Sequence, residues 1–124
     1  MIDTGSLVFD ALCGDTTLVA LLGSTDQIVP SYPEEITTFP LVIFRELDQP
    51  DSEFADNLPT NNNSTYSVDV FARDDTPTPI SVAVANIFRD MYWSCIFNTD
   101  IPDASTGVRH RTMHFTKMVW SSEL

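Results

Sequence analysis

The chain has 124 residues, a formal net charge of −12 and a sequence pI of about 4.1. Six residues are Lys or Arg, with Lys117 the sole Lys, and so acidic a surface repels nucleic-acid phosphates, which counts against a DNA reader. Hydrophobic residues make up 43%, enough for a packed core, and the length suits one domain spanning 1–124.

In "SLVFDALC", Leu7, Val8, Ala11 and Leu12 fall on one helical face, with Gly14 available as a left-handed stop. Asp15 or Thr16 can cap a second short helix, "TTLVALLG", that ends at Gly23. Ile28-Val29-Pro30 reads as a short extended piece, and Pro30, Pro33 and Pro40 make the following stretch an irregular crossing. "PLVIFREL" has four apolar residues in a row, Leu41 to Phe44, and reads as a buried strand.

Residues 47–64, "LDQPDSEFADNLPTNNNS", come next. They read as a loop or arm: acidic, rich in Asp and Asn, and far longer than an ordinary hairpin connection. After it, Tyr66, Val68, Val70 and Ala72 alternate with Ser67, Asp69, Phe71 and Arg73, so one face of this strand is apolar and Phe71 is the exception on the other. Asp74, Asp75 and Thr76 with Pro77 or Pro79 signal a helix start, and Ile80, Val84, Ile87, Phe88 and Met91 form its apolar stripe. Residues 98–107 read as a turn-rich link, and "VRHRTMHFTKMVW" as a long closing strand with imperfect alternation, which leaves room for a bulge or an interface on its second face. The expected fold is α+β: a mixed, mostly antiparallel four-stranded sheet with helices packed on one face. Val42, Val68, Val70, Ile87 and Phe88 should share its core.

No catalytic constellation stands out. His110 and His114 share a strand face, but four residues in a strand span about 13 Å, too far for one metal ion without a bend. The acids Glu46, Asp48, Asp51, Glu53 and Asp56 lack the spaced Asp/Asn-Gly pattern of a calcium loop. There is no GxSxG elbow and no phosphate loop, and the histidines are expected to be exposed or interfacial, with no metal. The apolar runs of four or five residues fall far short of a membrane span, and no basic segment followed by an apolar one marks a secretory signal. Cys13 and Cys95 are far apart and expected as reduced thiols, although a disulfide between them stays open.

Charge is uneven. Residues 1–105 hold three Arg against seventeen acids, whereas 106–124 hold Arg109, Arg111 and Lys117 against Glu123. An acidic body with one basic segment suits self-association by charge complementarity; the alternative is a solvated strand whose basic residues face water.

The layout resembles the tail completion or tail terminator proteins of long-tailed bacteriophages. The resemblance rests on the helical pair "LVFDALCGDTTLVALLG", the extended piece and proline-flanked strand "QIVPSYPEEITTFPLVIF", the acidic turn of "YSVDVFARDDT", the helix "PISVAVANIFRDMYW" and the closing "RHRTMHFTKMVW". It implies a virion protein without catalysis or cofactor. Such a protein forms a homo-oligomeric ring, typically a hexamer, between the tail tube protein and the head-connector or stopper protein, with DNA passing through the lumen without specific binding. It would be assembled in the host cytoplasm. Within such a ring residues 47–64 would be an intersubunit arm. Phe54 and Leu58 would sit in pockets of the neighbour, with Asp51 and Glu53 near the neighbour's Arg109, Arg111 or Lys117. The alternatives are another neck or head–tail connector subunit, or a small α+β ligand-binding protein.

Overall fold

Asp15 organises the N-terminal helices. Its extended backbone ends helix α1 (Gly5–Gly14), and its Oδ1 accepts the N–H of Leu18 at 2.9 Å, capping helix α2 (Thr16–Leu22). The left-handed stop falls at Gly23 (φ 93), at the end of α2, and not at Gly14. The two helices meet at 75°, and neither is long and apolar enough to cross a membrane alone. Val8, Leu12, Leu18 and Leu22 are buried, but Leu7, expected on the same face, is exposed.

The computed structural model describes residues 4–30, 33, 36, 38–47, 51–55, 58–73, 76–101 and 107–120, with 51–55, 58–63, 119 and 120 described as backbone alone. The strands are β1 (Ile28–Val29), β2 (Leu41–Glu46), β3 (Asp51–Ala55), β4 (Leu58–Arg73), β5 (Ser94–Ile101) and β6 (Val108–Trp120), with helix α3 (Thr78–Asp90) between β4 and β5. They form one sheet in the order β1-β2-β4-β6-β5, with β3 also paired to β4. Only β1 and β2 run parallel. The α+β class and the mixed, mostly antiparallel character are as expected, but the sheet has six strands and not four. The additional strands are β3, within the stretch read as a loop, and β5, which overlaps the stretch read as a link. Both are rich in Asp, Asn, Ser or Thr, so pairing with long neighbours overrides their weak intrinsic strand preference.

The core lies between one sheet face and the helices. Tyr66, Val68, Val70 and Ala72 are all buried, and Val42, Val68, Val70, Ile87 and Phe88 belong to one cluster. Phe88 of α3 stacks on Phe115 of β6 with ring centroids 4.3 Å apart and planes 2° from parallel. Trp93 closes the end of this layer, edge-on to Phe88 at 5.6 Å and to Tyr66 at 5.4 Å. At the start of α3, Pro79 lies in the first turn and Ser81 Oγ donates to the carbonyl of Pro77 at 2.9 Å. Asp74 and Asp75 lie outside the described residues.

Phe71 has a structural reason. On the second sheet face it joins Leu41 and Ile43 in a smaller cluster, against which Val29, Ile36, Phe39 and Val108 pack. The proline-rich crossing thus contributes Ile36 and Phe39 to a cover over part of that face, which is why four consecutive apolar residues suit β2. Ser67, Asp69 and Thr112 are buried on the same face.

Candidate assembly surfaces

Within residues 47–64, the described positions 51–55 and 58–64 are strand-paired. Backbone register joins Asp51 to Asn62 and Ala55 to Leu58, with irregularities around Glu53, while Asn61, Asn62 and Asn63 of β4 pair with Trp120, Val119 and Met118 of β6. The result is a ribbon that is three-stranded at Asn61 and Asn62 and continues toward Leu58 as the β3–β4 pair. From Ser64 to Leu58 it reaches about 20 Å, at roughly 3.3 Å per residue.

The base of the ribbon is tied to the N-terminus of α1. Thr4 Oγ1 and Tyr66 Oη are 2.7 Å apart, and Ser64 Oγ donates to Glu46 Oε2 at 2.9 Å. Thr116 Oγ1 donates to the carbonyl of Ser64 at 3.1 Å, and the N–H of Leu47 to that of Thr65 at 2.8 Å. These bonds lie among buried or half-buried groups, where unsatisfied polar atoms are costly, so they fix the direction in which the ribbon leaves the body.

Phe54, Leu58, Asp51 and Glu53 have backbone positions on this ribbon; their side chains lie outside the described set. The three basic residues share β6 and, by alternation, one face of it, but they do not form a patch. Arg111 is engaged within its own chain: its Nε donates to Asp100 Oδ1 at 2.7 Å and a terminal nitrogen to Oδ2 at 3.4 Å. The Arg111 guanidinium holds the Asp100 carboxyl below the usual carboxylate range, through these hydrogen bonds first and charge second. Arg109 is exposed near the start of the strand. Lys117 stands opposite Ser64, about 20 Å along the strand from Arg111, at the root of the ribbon. It lines a cleft of about 300 Å³ with Leu7, Val8, Met91, Tyr92 and Trp93.

The histidines are engaged separately. His110 Nε2 lies 2.8 Å from Asp69 Oδ1, while the His114 ring is 5.0 Å from that of Phe97. Among the described residues no group of three or more His, Cys, Asp or Glu side chains could hold a metal ion. Cys13 and Cys95 are free; burial, then Asp10, pushes the Cys13 thiol up, and Cys95 is exposed on β5.

One surface was not anticipated from sequence. All eight residues of the outer strand β5 are exposed, among them Ile96 at 59% and Phe97 at 46%. Its signal was the segment "SCIFNTDI", whose Ile96-Phe97 pair and Ile101 are uncommon in a solvated link.

No family model and no curated protein matches the sequence. Among solved structures, the fold is similar to a chain described as "Virion of native gene transfer agent (GTA) particle", with a TM-score of 0.61, 13% identity and coverage of 92% of both chains.

Proposed function

We propose that the chain is a structural virion protein of a tailed phage or phage-like particle, forming a homo-oligomeric ring, a hexamer, that ends tail-tube growth and joins the tail to the head connector. The observation that carries this reading is the shared fold over 92% of both chains with a component of a gene transfer agent virion. The sequence resemblance to tail terminators supplies the finer role. In this reading the ribbon of β3, β4 and β6 lies across the neighbouring subunit, with Phe54 and Leu58 as apolar anchors and Asp51 and Glu53 facing the neighbour's basic residues. The apolar cleft beside Lys117 is of a kind that would receive such an anchor, whereas Arg111 is already paired with Asp100. The ring needs no catalysis and no cofactor, and an acidic lumen lets DNA pass without gripping it.

The test is capture by its proposed partners. Purified protein should bind the ends of tail tubes assembled from the cognate tube protein and stop their elongation, as seen by electron microscopy. Binding to the connector alone, with tube growth unaffected, would favour another neck subunit.

A further inference from the structure

The two ends of the sheet differ in a way that suggests how copies meet. At one end is β5, the outer strand, with no strand on its far side among the described residues. Natural sheets protect such edges with charge, proline or short length, because an open strand recruits another chain. β5 has eight residues, no Pro and no Lys; its protection is limited to a register irregularity between Cys95 and Phe97. Its exposed apolar side chains are Ile96, Phe97 and Ile101. In a chain of net charge −12 it carries a single acid, Asp100, which Arg111 neutralises.

At the other end β1 is only two residues long and pairs with Val42 and Ile43 of β2. Beside it, between α1 and this sheet end, lies an open cleft of about 510 Å³ lined by residues that include Phe9, Thr25, Ile28, Pro30 and Phe44. Phe9, partly exposed, stacks on Phe44 at 5.9 Å. Among the described residues of this lining, Asp26 is the charged one. Among the described residues, the outward side chains of β5 and the lining of this cleft are thus mainly apolar or uncharged, in a protein of net charge −12 whose copies otherwise repel one another.

We propose that the β5 edge of one copy docks head-to-tail on the β1–β2 end of the next, with Ile96 and Phe97 against the cleft that holds Phe9 and Phe44. The occupant is a second copy of this chain. Two different surfaces at opposite ends of one sheet make a heterologous contact, the kind that closes into rings, and an edge-to-edge β5 pair would close into a dimer instead. The contact rests on the ring reading above and specifies it: the ribbon is a second tie between neighbours whose sheets are already end to end.

Cys95, exposed on β5, provides the test. In a Cys13→Ala background, Thr25→Cys places a thiol at the opposite end of the sheet, on the cleft. A short bis-maleimide should link Cys95 to the introduced thiol and give a ladder of species above dimer on a denaturing gel, whereas Cys13→Ala alone should give none. Ile96→Asp should raise the protein concentration needed for assembly by roughly tenfold or more, with the monomer's circular dichroism unchanged because the side chain is exposed. If the parent forms rings but Ile96→Asp assembles equally well, or cross-linking stops at dimers joined through Cys95 on both sides, this contact is wrong and the ring reading survives. A parent that stays monomeric at every concentration overturns both.

Discussion

His110 Nε2 lies 2.8 Å from Asp69 Oδ1, and the same imidazole stacks on Phe71 with ring centroids 4.1 Å apart. The register of β4 and β6 explains both contacts: Phe71 is directly opposite His110, and Asp69 is one diagonal step away on the same face. Asp69 is 3% exposed, so this hydrogen bond helps an acidic side chain persist on a covered sheet face. His110→Ala should lower the unfolding free energy by about 2 kcal/mol in urea titrations, from the lost bond and the lost stack. A midpoint indistinguishable from the parent's would show that His110 does not hold Asp69 in solution.

The main core has no room for charge. Val70 is fully buried, opposite Val42 on one side and Arg111 on the other, with α3 above. Val70→Asp should abolish cooperative melting, because a carboxylate in this packed layer costs several kcal/mol against a total stability of roughly 5–15, and its cross-strand neighbour Arg111 is already paired with Asp100. A soluble variant that melts cooperatively near the parent's temperature would contradict the assigned face of β4.

Asp100 should titrate below the ordinary Asp value of about 3.9. Its folded value is the lower one, so whatever the pair with Arg111 contributes to stability is complete above the ordinary value and is lost as pH falls through the depressed one. The contribution is small, because Asp100 is exposed. A carboxyl NMR titration should show the Asp100 midpoint rising in Arg111→Gln, and equal midpoints would mean the pair is not formed.

Deleting residues 51–61 removes β3 and the tip of β4 but keeps Ser64, Tyr66 and the pairing of β2 with β4. Shortening the connection does not add to its closure entropy. The monomer should therefore melt within a few degrees of the parent, while assembly is weakened. Phe54→Ala alone should move the distribution toward monomer, since a buried aromatic anchor contributes about 2 kcal/mol or more. A deletion variant that assembles like the parent would remove the ribbon from the interface.

The elements with strong periodicity were legible in the sequence. The Tyr66–Ala72 alternation, the Ile80–Phe88 stripe and the Asp15 cap each state their structure locally. Phe71 looked anomalous because its cover, Phe39 and Ile36, comes from a crossing more than thirty residues earlier, and no local pattern records that. The ribbon and β5 were hidden for a related reason: their residues are poor strand formers, and what makes them strands is register with β4 and β6. The basic trio was visible as a cluster in sequence. Strand geometry then separated Lys117 from Arg111 by about 20 Å, a distance that proximity along the chain does not convey.

The central claim is that this acidic chain closes into a ring of identical subunits. Light scattering on the eluting parent protein, over a range of concentration and at several salt concentrations, tests it most directly. The account predicts one discrete species six times the mass of the 13.8 kDa chain, without a continuum of longer polymers. A 13.8 kDa monomer at every concentration and salt would contradict it.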